Sequence, residues 1–414
     1  MITKNAKILI LVASLGYFVD VYDLILFGVI RTPSLKSIGI TDPKAILDAG
    51  LNLFNIQMAG MLLGGIFWGV LGDKMGRKSV LFGSIMMYSI ANLLNGLVAD
   101  TSIMSALTQY GILRFIAGIG LAGELGAGVT MVNETLPTSK RGYGAVIIAG
   151  VGTLGAVMAA LVGGYSDDPE WWRNTYFIGG GMGMLLLFLR IGTFESNIYQ
   201  NVESHVSKGD FFSLFTNFKR FKKYVYCILI GLPVWYIIGI LILASPEFAE
   251  ILGVQGEKIT AGKTIMFNYI GLSLGDVFSG IFSQYIKSRK KVIYIFTLVG
   301  LFVAYFYLYM STGISSDSFY FLCSILGFCA GYWAVFMTVS SEQFGTNLRS
   351  TVTTTVPNFV RGALIPLTLF FKYLKDQYGM IDAAFYIGVF CCVIAILAAT
   401  RLEESFHKDL DYTE

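Results

Sequence analysis

Residues 62–81 have the sequence LLGGIFWGVLGDKMGRKSVL, an apolar run with several glycines that ends in a short charged loop. Residues 274–293, LGDVFSGIFSQYIKSRKKVI, repeat this pattern in the second half of the chain. A second pair agrees with the first: ETLPTSKRG starts at Glu134, EQFGTNLRS starts at Glu342, and each places an arginine at the same distance after its glutamate. Two matches at nearly one offset predict the duplication of a helical unit.

The composition is that of a membrane protein. Of the 414 residues, 55% are hydrophobic and 14% are charged, which is too little charge to cover the surface of a soluble protein of this size. Glycine is abundant, with 47 residues, as in membrane helices that pack closely. The net charge of +3 suggests no nucleic-acid partner. The five cysteines have no metal-ligand spacing and both histidines lie in polar segments, so we expect no cofactor and no metal.

A membrane-spanning helix needs about 20 mostly apolar residues. The sequence contains twelve such stretches, at 8–31, 51–72, 78–99, 106–131, 142–164, 172–192, 223–245, 262–285, 291–311, 318–340, 350–371 and 381–401. They predict an all-α membrane protein with twelve transmembrane helices in two pseudo-symmetric six-helix bundles. The expected units are a bundle at 1–192, a cytoplasmic linker with an amphipathic segment at 193–222, a bundle at 223–401 and a cytoplasmic tail at 402–414.

The distribution of lysine and arginine orients these spans. With the N-terminus inside, most of the 30 basic residues fall at cytoplasmic helix ends, and Arg190 is counted among them. This bias places both termini in the cytoplasm. No cleavable signal peptide is evident, because the first apolar run is long and lacks a small-residue cleavage site. We therefore expect a monomer in the inner (cytoplasmic) cell membrane, with the lipid bilayer as its surroundings.

Several motifs resemble the major facilitator superfamily. They are GDKMGRK after the second span, RFIAGIGLAGE in the fourth, NETLPTSKRG after it, and their echoes in the second half. RFIAGIGLAGE, EQFGTNLRS and WWRNTYF…FES are most similar to the sugar-porter, organic-ion and metabolite:proton symporter branches. The DVYDL of the first span is similar to a paired-aspartate pattern of aromatic-acid and sialate/carboxylate symporters, although Val21 stands where those often have glycine. The resemblance implies a central site near the midplane and alternating access.

Charged residues inside the spans are the first candidates for function, because each costs about 3 kcal/mol at the bilayer centre. They are Asp20, Asp23, Arg114, Glu124, Asp276 and Arg361.

Three acidic residues and one arginine are the candidates for proton coupling. The resemblance implies that Asp23 and Arg114 form an ion pair that responds to protonation; the alternative is a static pair. We expect Glu124 to be an isolated carboxylate that carries protons, contacts a cationic substrate or bonds to a neighbouring backbone. Asp20 lies on the same helix face as Asp23, and it either shares a proton with Asp23 or faces a water-filled vestibule.

Arg361 is the candidate for binding an anion, because a guanidinium fork matches a carboxylate. The alternatives are that it pairs with Asp276 or lies nearer a membrane face. We interpret Asp276 as part of the inter-bundle packing, since it aligns with Gly64 in the repeat. Small-molecule sites usually present aromatic and amide groups. The further candidates for the substrate site are Tyr22, Gln57, Trp235, Tyr236, Asn268, Tyr332, Trp333 and Asn358.

Charged residues at the cytoplasmic helix ends resemble the intracellular gate of the family, in which charge pairs between the bundles form and break during transport. The alternative is that they are solvated loop charges that only fix the topology. These residues are Asp73, Arg77, Lys78, Glu134, Arg141, Glu342 and Arg349.

The sequence as a whole predicts a secondary active transporter that moves a small organic anion, a carboxylate or an acidic sugar, together with protons. Protons load on Asp23 and Glu124, the anion binds near Arg361, and the bundles rock. The alternatives are a sugar or polyol symporter or facilitator, and an organic cation transporter. An enzyme would need a nucleophile or metal constellation and a receptor would need a large output domain, so neither class fits.

Overall fold

The computed structural model describes residues 4–75, 77–124, 141–195 and 211–406, which are almost entirely helical. The first half contains α1 (Lys4–Ser37), α2 (Pro43–Met75), α3 (Arg77–Asn95), α4 (Ala106–Leu121), α5 (Arg141–Gly163) and α6 (Trp171–Glu195). The second half contains α7 (Phe218–Ile242), α8 (Ala261–Tyr285), α9 (Arg289–Met310), α10 (Ser316–Glu342), α11 (Thr346–Gly362, continued by Leu364–Tyr378) and α12 (Met380–Arg401). Two short helices, Ser213–Thr216 and Ser245–Ile251, flank α7.

The twelve predicted spans are confirmed as helices, although their ends differ from the prediction. Within the described ranges, seven helices are long and apolar enough to cross a membrane, and three shorter apolar helices accompany them. The first helix is longer than the span predicted at 8–31, because backbone hydrogen bonding continues into residues that are not apolar. The last part of the span predicted at 106–131 lies outside the described residues.

Side-chain caps begin several of these helices. Ser105 caps α4 by accepting from the Thr108 N–H, and Thr260 caps α8 in the same way. Ser288 and Ser315 cap α9 and α10. Each hydroxyl satisfies one backbone N–H that has no partner within its own helix.

Glycine contacts show the duplication in three dimensions. A Cβ at Gly118 of α4 would collide with the backbone of Gln57 in α2, and a Cβ at Gly327 of α10 would collide with the backbone of Asn268 in α8. The two halves therefore use the same close helix contact at equivalent positions. Such an approach requires glycine, and it explains why so many glycines lie in the spans.

The two halves meet along α5 with α8 and α2 with α11. Ser273 donates to the Gly150 carbonyl at 2.9 Å across the first contact, and Thr368 donates to Asn55 at 2.9 Å across the second. On the side where α1 ends, Arg31 pairs with Glu247 of the short helix after α7, at 2.5 Å. These contacts bury the side chains that lie between the halves.

Helix α10 is interrupted at its centre. The helix Ser316–Ala330 ends, and a new helix starts at Trp333. Asp276 of α8 accepts from the Ala334 N–H at 2.9 Å, so it caps the new segment. Gly275 and Gly331 are in close backbone contact beside this break. Asp276 thus packs within the second half rather than between the bundles as its inter-bundle interpretation expected, and it forms no ion pair with Arg361.

Candidate functional site

Arg361 of α11 lies between the two halves and is only 3% exposed. Its Nη1 donates to Asn358 Oδ1 at 3.2 Å. The guanidinium carbon lies 5.6 Å from the ring centroid of Trp235 in α7 and 5.7 Å from that of Trp333 in α10, within the range of cation–π attraction. Among the described residues no carboxylate lies within ion-pair distance of it, and its Nε has no hydrogen-bond acceptor.

The surroundings of Arg361 are aromatic and contain unused donors. The two indole rings lie 6.4 Å apart, and neither indole N–H has an acceptor in hydrogen-bond geometry among the described residues, although that of Trp333 lies near the Tyr17 hydroxyl. Tyr17 and Asp20 of α1 and Tyr269 of α8 lie within electrostatic range of the guanidinium. Buried N–H groups without acceptors are costly. The cluster therefore offers several donors and one positive charge to a ligand with anionic oxygens.

Asn358 connects this cluster to the first half. Its Nδ2 donates to the Ala122 carbonyl just after α4, at 3.0 Å, and to the Thr354 carbonyl at 2.9 Å. The amide that orients Arg361 is thus held from the opposite half of the protein. A movement of one half against the other changes this bond and with it the position of the guanidinium.

A second buried cation, Arg114 of α4, lies inside the first half. Its Nη2 donates to Gln57 Oε1 and, at 3.4 Å, to the backbone carbonyl of Asp23. The guanidinium lies over the rings of Phe27 and Tyr176, at 5.6 and 5.7 Å. Both carboxylate oxygens of Asp23 lack a hydrogen-bond partner. The expected side-chain ion pair between Asp23 and Arg114 is therefore not formed in this conformation, although the two charges lie near each other.

Glu124 is not the isolated carboxylate that the sequence suggests. Arg190 of α6 binds it with two hydrogen bonds, one of 2.9 Å from Nη1 to Oε2 and one from Nη2 to Oε1. The two residues are 1% and 2% exposed, and Gly16 of α1 packs directly against them. The sequence counts Arg190 among the charges at the cytoplasmic helix ends, whereas the structure shows it buried inside the bundle, because α6 continues to Glu195.

The other predicted substrate residues divide into two groups. Trp235, Trp333 and Asn358 contact Arg361, as described above. The remaining ones hold helices within one half: Gln57 bonds to Arg114, Tyr22 donates to the Thr175 carbonyl, Asn268 donates to the Cys323 carbonyl, and Tyr332 donates to the Ile230 carbonyl. Tyr236 packs on Gly388 and, with Tyr332, lines a small cavity inside the second half.

Sequence reasoning missed Tyr17, Tyr269 and Arg190. Tyr17 lies one turn before Asp20, so its position on that helix face was available in the sequence. Arg190 stands between apolar residues on both sides, in LLLFLRIG, which indicates a position inside the span. Tyr269 carries no such signal, because a tyrosine in a membrane helix is common packing material.

The predicted cytoplasmic gate is described only in part. Glu342 pairs with Arg289 at 3.6 Å and accepts from Ser405 at 2.6 Å. Arg349 donates to the Ser341 and Phe344 carbonyls. These contacts lie within the second half. Glu134 lies outside the described residues, as do the side chains of Asp73, Arg77, Lys78 and Arg141.

Glu404 connects the segment that follows α12 with the start of α9. Its carboxylate accepts from the Ser288 hydroxyl and from the backbone N–H groups of Arg289 and Lys290, at 2.9 and 3.3 Å. Burial by itself raises the pKa of this carboxyl, but the hydrogen bonds outweigh burial and lower the pKa below its ordinary value.

Comparisons with known proteins agree with this architecture. The family model of the Major Facilitator Superfamily matches residues 13–363. The sialic acid transporter NanX of Escherichia coli (strain K12) is 24% identical over 408 residues, covering 96% of this chain and 94% of the relative. The cis,cis-muconate transport protein of Acinetobacter baylyi is 26% identical over 408 residues, covering 94% of each chain. The niacin transporter NiaP of the same organism is 33% identical over 172 residues, 42% of this chain and 37% of the relative.

Solved structures show the same fold. The proton:xylose symporter XylE bound to 6-bromo-6-deoxy-D-glucose has a TM-score of 0.71 at 14% identity, covering 99% of this chain and 98% of that chain. The transporter FucP in the outward conformation has a TM-score of 0.70 at 15% identity, covering 96% and 99%.

Proposed function

The chain belongs to the Major Facilitator Superfamily and is a membrane transporter of small molecules rather than an enzyme, and from this premise we propose that it takes up a small organic anion together with protons. The observation that carries the proposal is the position of Arg361. It is a buried guanidinium between the two halves with no carboxylate partner among the described residues. Alternating access moves the substrate through that place.

Three of the four other buried arginines show what a satisfied guanidinium has in this protein, and Arg114, inside the first half, is the fourth and has no carboxylate partner among the described residues. Arg190 pairs with Glu124, Arg31 pairs with Glu247, and Arg289 lies 3.6 Å from Glu342. A buried charge without a counter-charge is costly. An anion that enters from the solvent and binds at Arg361 would remove this cost, which supports binding of a carboxylate there.

The relatives support the same class of substrate. Sialic acid, cis,cis-muconic acid and niacin, the compounds in their names, are all carboxylic acids. Sialic acid is polar, whereas cis,cis-muconic acid and niacin are planar and unsaturated. The two indole rings beside Arg361 provide flat apolar faces, while the free N–H groups provide donors to carboxylate oxygens. We take the three acids as the candidates to test first.

Asp23 is the proton site of the proposal. Its carboxylate is fully buried and lacks a hydrogen-bond partner, and the charge of Arg114 lies nearby. Protonation of Asp23 changes the balance of charge around Arg114 and so favours another arrangement of the helices. Asp20 lies between this site and Arg361, within electrostatic range of both. We assign no proton-carrying role to Glu124, because Arg190 already neutralises it.

The proposed orientation of the protein in the membrane follows from the distribution of the basic residues. Their excess at one set of helix ends supports an inner-membrane protein with both termini in the cytoplasm. In this orientation α1 runs outward, so Asp23 lies on the outer side of Asp20. Uptake then uses the inward proton gradient.

The proposal is tested by transport in proteoliposomes. The purified protein is reconstituted, an inward proton gradient is imposed, and uptake of each labelled acid and of D-xylose is measured. We expect accumulation of at least one acid and none of D-xylose. Asp23→Asn should abolish accumulation but keep exchange of labelled for unlabelled substrate, which needs no net proton movement.

Asp167→Asn, a neutralised exposed loop carboxylate, is the matched control and should accumulate the acid normally. Accumulation of D-xylose in place of the acids would reject the anion. Full accumulation by Asp23→Asn would reject the proton site.

A further inference from the structure

A row of buried polar residues follows one face of α3. Ser89, Asn92 and Asn95 recur at every third position, so they share a helix face, and Tyr88 stands beside Ser89. All four are fully buried. Among the described residues, neither the two hydroxyls nor any side-chain nitrogen or oxygen of the two asparagines has a hydrogen-bond partner.

The row faces glycines of α6 and reaches Asp23 of α1. Gly183 lies against the Ser89 hydroxyl and the Tyr88 ring, and Gly180 lies against the Ser89 carbonyl. Gly179, directly before Gly180 in α6, lies against the Asp23 carboxylate. Glycine removes side-chain volume at the positions where the polar groups of α3 and α1 meet α6.

Side chains of four other helices approach Asp23 of α1. Arg114 approaches from α4, neutral Gln57 from α2 and Tyr176 from α6. From α3, the Asn92 side chain approaches the carboxylate without reaching hydrogen-bond geometry. The carboxylate therefore has a charge and several polar groups nearby but no direct acceptor or donor contact.

The row runs along α3 from its last residue towards the interior of the first half. Its outer member, Asn95, is the last residue of α3. There the partly exposed Arg173 donates to the carbonyls of Gly96 and Val98, at 3.2 and 2.6 Å. Its inner member, Tyr88, lies within electrostatic range of Asp20, Asp23 and Glu124.

Buried polar atoms without partners cost about 1–3 kcal/mol each, and this row with Asp23 contains too many of them to persist dry. Buried water typically makes about three hydrogen bonds to groups of this kind. We propose that Ser89, Asn92 and Asn95 of α3, with Tyr88, form a water-filled path inside the first half that brings protons from the outer end of α3 to Asp23. The inference rests on the proposed function only in its assignment of the proton to Asp23.

Water beside Tyr88 can be detected directly. Hydroxyl radicals generated by synchrotron radiolysis label buried side chains that touch bound water, and mass spectrometry locates the label. Tyr110 is the matched control, since it is equally buried but bonds to the Tyr176 hydroxyl at 2.7 Å. We expect Tyr88 to be labelled at least tenfold faster than Tyr110. Equal, slow labelling of both tyrosines would overturn the path.

Proton delivery is tested with Asn92→Leu and Asn95→Leu in proteoliposomes that contain a pH-sensitive dye. We expect the substrate-driven proton influx to fall at least fivefold in both variants. Ser89→Ala should lower it less. Ser84→Ala, the same change on the same helix where the hydroxyl already bonds to the Leu81 carbonyl, should not lower it. Counterflow of labelled substrate reports whether each variant is folded.

A failure of the proposed water path can be distinguished from a failure of the proposed proton coupling. If Asp23→Asn abolishes proton influx but both leucine variants keep it, the path is wrong and the proposed function stands. If the wild-type protein accumulates substrate without protons, the proposed coupling is wrong and the path to Asp23 falls with it, whatever the labelling of Tyr88 shows.

Discussion

Two buried arginines, Arg190 and Arg361, differ in what neutralises them. Their exposed fractions are 2% and 3%, so both have left water almost completely. Arg190 has a bidentate carboxylate, Glu124, while Arg361 has one amide contact and two indole faces. A buried charge is stable when its counter-charge is part of the protein. Arg190 is therefore neutralised within the protein, whereas the charge of Arg361 would be compensated by a bound anion under the proposed function.

The location of each arginine explains this difference. Arg190 belongs to α6 and Glu124 lies just after α4, both in the first half, so a movement of one half against the other would leave the pair intact. Arg361 belongs to the second half, but its partner Asn358 is bonded to Ala122 of the first half. Its surroundings therefore change whenever the halves move. A ligand site that alternates between two sides needs this kind of contact.

The largest effect on stability is expected from removing the buried ion pair between Glu124 and Arg190. Glu124→Gln leaves Arg190 buried without its counter-charge and should lower the free energy of unfolding by about 3–5 kcal/mol. Thermal unfolding of the purified protein in detergent measures it. Glu170→Gln is the control, because Glu170 pairs with Arg173 at an exposed position, where such pairs contribute about 0.2–1 kcal/mol. Equal stability of the two variants would show that the buried pair is not structural.

Arg361→Gln should act in the opposite way. It removes an uncompensated buried charge, so the unfolding temperature should stay the same or rise. Affinity for a carboxylate substrate should fall about 30- to 100-fold, because a hydrogen bond to a charged group contributes about 1.5–3 kcal/mol. Calorimetric titration measures the affinity, with Arg173→Gln as the control. A destabilised variant that still binds the acid would mean that Arg361 has the structural role instead.

A smaller effect is expected from the indole donors. Trp333→Phe keeps an aromatic face beside Arg361 but removes one free N–H, so affinity for the acid should fall about fivefold, or about 1 kcal/mol for one hydrogen bond. Trp171→Phe is the matched control, since that indole bonds to the Val162 carbonyl away from the site. An unchanged affinity for Trp333→Phe would place the carboxylate elsewhere around the guanidinium.

The smallest effect is expected from Glu404, which follows α12. Because hydrogen bonds lower the pKa of this carboxyl in the folded protein, its contribution to stability is present above the unfolded pKa and is lost as the pH falls through the lower, folded value. The protection of the Arg289 and Lys290 amides against hydrogen–deuterium exchange, taken relative to the intrinsic exchange rate at each pH, should therefore fall between about pH 5 and pH 3, where a carboxyl with a lowered pKa becomes protonated. Glu404→Gln should remove this dependence; if it persists, another group controls these amides.

The number of spans and the duplication could be predicted from the sequence, because apolar length and repeated motifs do not depend on how helices pack. The choice of Arg361 as a candidate could also be predicted, since a charge within a span must have a reason to be there. The ion-pair and hydrogen-bond partners of these charges could not be predicted. Glu124 was expected to stand alone because Arg190 is far away in the chain, and only the extension and rotation of α6 bring them together.

In the Asp23–Arg114 region the sequence predicted an ion pair that the structure does not contain. Sequence resemblance paired the two residues, but the rotation of α4 directs the guanidinium to Gln57 and to the Asp23 carbonyl. Sequence patterns locate charges on helices, while the contacts of each charge depend on packing between helices.

The most direct test of the central claim is the binding of acids and of their neutral amides to the wild-type protein and to Arg361→Gln. Isothermal titration would compare niacin with nicotinamide, and likewise sialic acid and cis,cis-muconic acid with their amides. We predict that at least one acid binds the wild type at least 30-fold more tightly than its amide and that Arg361→Gln removes this preference. A wild-type protein that binds an amide as well as its acid, or a variant that keeps the preference, would contradict the account.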